Sequence, residues 1–445
     1  MRRRLATVAG ALLAMAVSLM AAPTVAQAQA EPGFYVSDGR LLDANGQDFV
    51  LRGVNHAHTW YPTRTSQALK DIKALGANSV RVVLATGDRW TRNDASDVAA
   101  VISGCRRSRL ICVLEAHDTT GYGEQAGAVS LSRAVDYWLS IQDVLKGQEK
   151  YVILNLGNEP HGNSGYSAWT SDTQTAIARM RAAGFGHTLM VDAPNWGQDW
   201  SFTMRDNAGK VFTADPERNT VFSIHMYGVF DTATEVNDYL NRFTSQHLPI
   251  VVGEFGDAHS DGNPDEDAVM AAARRLGVGY LGWSWSGNGG GVEYLDLTAD
   301  FDASRLTAWG RRLFEGADGI KQTAREASVF ATDPADGSAD GSCAVGYRLG
   351  DWGNWFNADV TVRNTGTTAV KGWRLDFALP GQQRVNSVWN AKATQDGSQV
   401  RVVNESWTET IPAGGTVTFG FNGSSTGTNG VPAVFTLNGV ACAGS

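Results

Sequence analysis

Glu159 and Glu254 are the residues with the most chemistry to offer. Each closes a short apolar, β-rich run. Tyr151–Leu156 leads into Asn158-Glu159-Pro160, and Ile250–Glu254 runs out through Gly253-Glu254-Phe255-Gly256. Paired carboxylates at such ends suit the cleavage of an acetal with retention of configuration. One attacks the anomeric carbon while the other protonates the leaving oxygen and then activates water, the two lying about 5–5.5 Å apart. Two glutamates on one rim can also be structural ion-pair partners, the lesser reading. The Ser79–Leu84 run carries Arg81, and other polar and aromatic groups leave neighbouring runs in the same way: Glu115-Ala116-His117-Asp118, His225-Met226-Tyr227 and Gly282-Trp283-Ser284-Trp285. Arg81 and His117 also suit rim ion pairs, and Trp283 suits a core. Trp60, Trp196 and Trp200 fit either flanking subsites or packing. There is no Ser-His-Asp order, nucleophile elbow, HExxH or metal-type Cys/His cluster.

Positioning these residues takes a scaffold that brings many strand ends to one rim. Eight short apolar runs alternate with helical patterns. The strands are predicted at Phe49–Val54, Ser79–Leu84, Leu110–Glu115, Tyr151–Leu156, Thr188–Asp192, Val221–His225, Ile250–Glu254 and Gly279–Trp283. Helices such as Ser66–Leu75, Ser96–Arg106, Leu131–Leu145, Trp169–Ala183 and Asp267–Leu276 separate them. Eight such units predict an α/β fold, a (β/α)8 TIM barrel over residues 31–330, whose active site lies at the C-terminal strand ends. A doubly wound open sheet is the alternative, but no Gly-rich phosphate loop follows the first strand.

The two ends of the chain read differently. Residues 1–30 join Arg2, Arg3 and Arg4 to an Ala-rich apolar stretch and small-x-small sites ending at Ala28 and Ala30, the pattern of a secretory signal peptide. Residues 331–342, ATDPADGSADGS, are a linker, and residues 343–445 alternate in short strands between turns, as in a small all-β sandwich. The 445 residues carry 37 Lys+Arg against 46 Asp+Glu, a net charge of -9, and loss of the leader's three arginines makes it more negative. That disfavours nucleic acid and anionic membrane as partners and suits an uncharged ligand. No stretch beyond the leader is long and apolar enough to span a bilayer. Four cysteines in an exported chain allow three pairings. Cys105–Cys112 and Cys343–Cys442 are expected, because each pair stays within one domain, with free buried thiols as the other reading. Asp257, Asp261, Asp265, Glu266 and Asp267 crowd the loop after the seventh strand. Calcium is a candidate ligand there, with plain helix capping as the other reading. No cofactor is required for the carboxylate chemistry.

Residues 33–330 resemble glycoside hydrolase family five of clan A. The resemblance rests on Asn158-Glu159-Pro160 and Glu254 with the blocks HDTTGYGE (117–124), APNWGQDW (193–200), SIHMYGVF (223–230) and GWSWSGNGGGVEYLD (282–296). It is strongest to the actinobacterial endo-1,4-β-mannanases. It implies that Glu159 is the acid/base and Glu254 the nucleophile, kept ionised by Arg81 and hydrogen-bonded by Tyr227. It also implies that Asn158 contacts the sugar 2-OH, that His117 and His225 line the reacting subsite, and that Trp283 forms a platform under the ring. The activity implied is endo-hydrolysis of mannan, galactomannan and glucomannan, with an endo-β-1,4-glucanase as the alternative; a monomer is expected. A binding protein without catalysis would lack one of the two glutamates.

Residues 343–445 resemble a family-two carbohydrate-binding module, through Cys343, NTG (364–366), GW (372–373), WNA (389–391), NESW (404–407), FGFNGSS (419–425) and LNGVAC (437–442). The resemblance implies that Trp352, Trp389 and Trp407 form a flat strip that stacks on crystalline cellulose and that Trp373 lies in the core. Trp355 stands where that family usually has Gly. The alternative for the strip residues is packing in the core.

Overall fold

The computed structural model describes residues 33–332 and 343–444, except residues 381, 428, 433 and 439. The leader reading of residues 1–30 and most of the linker reading lie outside the described residues. Among those that are described, no helix is long and apolar enough to cross a membrane.

Eight parallel strands close into a barrel: β1 (Arg52–His56), β2 (Ser79–Leu84), β3 (Ile111–Ala116), β4 (Val152–Asn155), β5 (Leu189–Asp192), β6 (Thr220–Met226), β7 (Ile250–Phe255) and β8 (Gly279–Gly282). Each pairs with its sequence neighbour and β8 pairs with β1. Every residue of these strands is buried. That is why they read as continuous apolar runs rather than alternating ones: helices cover one face and barrel-core side chains the other. The covering helices are α1 (Thr65–Ala74), α2 (Ala95–Arg107), α3 (Leu131–Ser140), α4 (Trp169–Ala182), α5 (Thr203–Ala214), α6 (Ala233–Thr244), α7 (Glu266–Leu276) and α8 (Ala308–Glu315).

The helix boundaries have local causes. Asp94, Ser130, Thr232, Asp265 and Thr307 accept N-terminal backbone N–H groups of α2, α3, α6, α7 and α8. Thr232 and Glu235 form a reciprocal capping box. The helix predicted over Leu131–Leu145 breaks at Ile141, whose φ of -117° leaves the helical region, and a separate turn follows at Gln142–Leu145. The first strand starts later than its apolar run predicts. The Phe49 N–H bonds the Leu41 carbonyl at 2.9 Å, extending an N-terminal hairpin of Tyr35–Ser37 and Arg40–Leu42 before the chain enters the barrel.

The C-terminal module is a sandwich with strands β9 (Cys343–Asp351), β10 (Trp355–Asn364), β11 (Arg374–Ala378), β12 (Arg384–Trp389), β13 (Ala391–Asp396), β14 (Gln399–Asn404), β15 (Thr416–Ser424) and β16 (Phe435–Leu437). One sheet runs β12-β15-β10-β9 and the other β13-β14-β11-β16, each with one further short strand. Trp373 is fully buried between them, stacked on Phe419 at 5.8 Å, and its indole N–H bonds the Thr408 carbonyl at 2.6 Å.

Cys343–Cys442 is a disulfide, as expected, with a sequence separation of 99 residues. The expected Cys105–Cys112 bond is not formed. These are two buried thiols whose sulfurs lie 2.9 Å apart. Packing of the last turns of α2 against β3 brings them together, and burial pushes the Cys112 thiol well above its ordinary pKa, away from the thiolate that would react.

Candidate active site

Arg81 is the hub of the upper rim. It projects from the middle of β2, fully buried, and uses all five of its N–H donors. Nε bonds Asn155 at 2.8 Å, one terminal nitrogen bonds Asn55 at 2.9 Å and Glu254 at 2.8 Å, and the other bonds Asn158 at 2.6 Å and Asp192 at 3.0 Å. Burial alone would lower its pKa, but Glu115, Asp192 and Glu254 outweigh that and hold it above its ordinary value.

Glu254 leaves β7 with one oxygen on Arg81 and the other accepting from the Tyr227 hydroxyl at 3.0 Å. Burial pushes its carboxyl up. His225 and Arg81 pull it down, the Glu159 charge pushes it up again, and the net direction is upward. Arg81 therefore supports the ionised form only in part, because its charge is shared with Glu115 and Asp192. His225, on β6, lies between the two glutamates. Its Nδ1 donates to Glu159 at 2.8 Å and lies 3.6 Å from Glu254, while Nε2 is 3.4 Å from Asp192. Burial opposes its charge, yet Glu254 and Asp192 prevail and raise it to about 10. The imidazolium thus neutralises part of a three-carboxylate cluster.

Glu159 follows β4 on a backbone with φ of +40°, a region costly for a residue with a Cβ. Its N–H bonds Asp192 at 3.3 Å and its carbonyl accepts from Gly121 at 3.0 Å, which holds the turn. Oxygens of Glu159 and Glu254 approach within 4.8 Å of each other with the His225 ring between them. Asn158 beside it is buried, accepting from Arg81 and donating to Thr120 at 2.8 Å.

An aromatic wall flanks the pair on the β1, β3 and β8 side. His117 bonds the fully buried Glu115 at 2.8 Å and stacks on half-buried Trp283 at 5.9 Å. Trp60 and Trp90 meet His117 at 5.3 Å and 5.4 Å. Burial disfavours charge on His117, but Glu115 dominates and raises its pKa. On the opposite side Glu159, Trp196, Trp200, Tyr227 and His259 line a continuous cleft. Trp196 donates to Glu124 at 3.0 Å and exposed Trp200 to Asn163 at 2.7 Å, while Tyr227 stacks on His259 at 4.4 Å. The rim residues read from the sequence therefore lie together, with Trp196 and Trp200 lining the cleft beside Glu159 and Trp60 packed edge-on against His117.

Glu115, which closes its apolar run, completes the cluster together with Asp192, Asn55 and Asn155. Asp192 ends β5 and was legible by the same strand-end rule that exposed the others. Burial works against its charge, but His225 and Arg81 hold it down at about 2.

In the acidic loop after β7 the helix-capping reading holds at Asp265. Asp265 caps α7 through the Ala268 N–H at 2.8 Å, and Asp267 accepts from Arg312 at 2.6 Å. Asp261 turns to Gln198 at 2.8 Å, to the Gly228 N–H and to His259. Among the described residues, the only His/Cys/Asp/Glu group of three or more with ligand atoms within 4.8 Å is Glu159, His225 and Glu254.

Residues 42–289, more than half of the chain, match the family profile described as cellulase (glycosyl hydrolase family 5). The chain belongs to glycosyl hydrolase family 5. A second profile, the cellulose binding domain, matches residues 343–442. A mannan endo-1,4-beta-mannosidase of Streptomyces lividans is 58% identical over 375 residues, covering 81% of this chain and 97% of that protein. One of Cellvibrio japonicus is 50% identical, covering 85% and 89%. Among solved structures, a mannotriose complex of Thermomonospora fusca beta-mannanase is 59% identical with a TM-score of 0.65, covering 67% of this chain and 99% of that one.

Proposed function

We infer that this chain is a retaining endo-β-1,4-mannanase that is held on plant cell wall by its C-terminal module. The observation that carries the mechanism is the approach of the Glu159 and Glu254 oxygens to within 4.8 Å. An inverting pair stands about 6.5–9.5 Å apart to admit a water, whereas a retaining pair is closer because one carboxylate attacks directly. Glu254 is the nucleophile, aligned from two sides by Arg81 and Tyr227. Glu159 donates a proton to the leaving oxygen. After that sugar departs, Glu159 takes a proton from the incoming water, which displaces Glu254 from the anomeric carbon. His225 bridges both carboxylates and limits their mutual repulsion as the proton moves. Asn158 meets the 2-OH, and Trp283 lies under the ring of the reacting sugar. None of these steps calls on a metal or a second chain.

The mannan assignment is supported by the mannosidase relatives, which extend over most of this chain. The leader pattern and the Cys343–Cys442 disulfide support action outside the cell. Exposed Trp352, Trp389 and Trp407 support cellulose as the surface to which the module adheres. Reducing-end release from galactomannan and from carboxymethylcellulose, with anomeric configuration followed by NMR, tests the reading. Rapid mannan cleavage with β-configured first products is expected. Preference for carboxymethylcellulose would make it a glucanase, and α-configured first products would overturn Glu254 as nucleophile.

A further inference from the structure

The binding face of the sandwich holds four exposed tryptophans, not three. Trp352, Trp355, Trp389 and Trp407 are 69%, 61%, 41% and 71% exposed. Solvent exposure of so large an apolar side chain is unfavourable unless a ligand covers it.

The register places Trp355 relative to the others. On β15, Gly420 pairs with Trp389 of β12 and Ser424 with Trp355 of β10. Residues 420 and 424 are an even number apart, so Trp389 and Trp355 project from the same face of the sheet. Trp389 lies flat over Gly420, where a Cβ would meet its ring at 2.2 Å. Trp352 lies against Gly350 on β9, 3.1 Å from where a Cβ would stand. Gly350 pairs with Asn357, which is two residues from Trp355 and so faces the same way. Trp352 and Trp355 also share one hairpin turn, closed by the Trp352 N–H on the Trp355 carbonyl at 2.9 Å. Trp407 is next to Thr408, whose hydroxyl bonds the Asn390 carbonyl at 3.2 Å, so it flanks the Trp389 end.

These positions do not lie on one line. With strands about 4.8 Å apart and alternate residues about 6.7 Å apart, residue 355 lies roughly 8 Å to one side of the line joining the Gly420 and Gly350 seats. Ser387, Asn422 and Asn357 form the row between, offering amide and hydroxyl groups to sugar hydroxyls.

We propose that Trp355 is a further polysaccharide-stacking residue, set beside the Trp352–Trp389–Trp407 strip, where it engages a second, neighbouring chain of a flat β-1,4-glucan surface. A module built this way favours crystalline cellulose over an isolated chain, since only an ordered surface presents two chains at once. The proposal rests on the reading of the strip itself as the cellulose-binding face.

The test uses the full-length protein with Trp355→Ala, Trp355→Tyr and Trp389→Ala. Adsorption isotherms on microcrystalline cellulose are compared with retardation in gels containing soluble hydroxyethylcellulose. Trp355→Ala is expected to weaken adsorption to the crystal by about three- to tenfold, the range for losing one aromatic stacking contact. It should migrate like the parent in the soluble-chain gel, and Trp355→Tyr should recover most of the adsorption. Trp389→Ala should lose on both. Unchanged melting of the module confirms that exposed Trp355 is not needed for folding. Parental adsorption by Trp355→Ala, with Trp389→Ala impaired, overturns the proposal. An equal loss on soluble chains places Trp355 on the same chain as the strip and overturns the second-chain assignment. Parental adsorption by both alanine variants overturns the strip reading instead.

Discussion

Replacing Arg81 by lysine keeps the charge and removes the fork, so it isolates what the guanidinium geometry does. Five N–H groups meet five acceptors: Asn55, Asn155, Asn158, Asp192 and Glu254. A lysine has three donors on one nitrogen, so at least two of these buried acceptors lose their partner. Each buried polar group left unpaired costs about 1–3 kcal/mol, which puts the total at roughly 2–6 kcal/mol. Part of that appears as a lower melting temperature and part as lost transition-state stabilisation. The pH profile separates the two. Glu254 acts ionised, and burial has already raised its pKa. A weaker cation beside it raises that pKa further, so activity is lost at a higher pH on the acid side. Calorimetry and the pH dependence of kcat/KM on galactomannan measure both effects. Unchanged melting, unchanged kcat/KM and an unmoved acid limb together would refute Arg81 as the organiser of the nucleophile.

Glu159→Ala should still form a glycosyl-enzyme from a mannoside with a good leaving group, and azide should speed turnover and yield a β-glycosyl azide. Glu254→Ala should form no intermediate and give the α-azide; the reverse stereochemistry, read by NMR, would exchange the two roles. Burial lowers His56 and His187 to about 3, so both are neutral in the fold and charged once unfolded below about 6.5. Their contribution is complete above the unfolded value and is lost as pH falls toward 3. Asp199, raised to about 6 by burial, opposes this, as do the raised carboxyls of Glu149, Glu254, Asp257, Glu266 and Asp296. The test is therefore differential: the melting-temperature gap between the parent and His187→Gln should narrow as pH falls from about 6.5 to about 4, and a constant gap would contradict neutral burial. Alkylation of the unfolded, unreduced chain should modify two cysteines, Cys105 and Cys112. Reduction should then expose two more and lower the melting temperature of the sandwich, since closing a loop of about 100 residues is worth roughly 4.7 kcal/mol in the chain-entropy account. No modification before reduction would restore the second disulfide.

What the sequence disclosed and what it hid follow from the range of the interactions. The barrel was legible because its strands are buried on both faces, leaving apolar runs at regular spacing, and because the rim rule converts a strand end into a location. Applied to every strand, that rule would also have found Asp192 at the end of β5. The exact start of β1 was hidden because Phe49 and Leu51 are as apolar as strand residues yet serve the approach to the barrel. Proximity in sequence misled at Cys105 and Cys112. Seven residues of separation brings the sulfurs into contact through helix-on-strand packing, but contact between two buried thiols is not a bond. In the acidic loop the capping reading was legible, since Asp265 caps α7, whereas the Arg312 partner of Asp267 comes from a distant helix.

The electrostatics of the rim were out of reach for a deeper reason. A lone Arg81 beside Glu254 reads as a cation that keeps a carboxylate ionised. Closure of the barrel adds Glu115 from β3 and Asp192 from β5 to the same guanidinium, so its charge is divided among three acids. The deficit is met by His225, which Glu254 and Asp192 raise to about 10 against the opposing effect of burial. The charge state of the nucleophile is therefore a property of six strands, β2 to β7, at once. No pairwise spacing along the chain encodes it, and any substitution at Asp192 or Glu115 should move the pH dependence of a reaction those residues never touch.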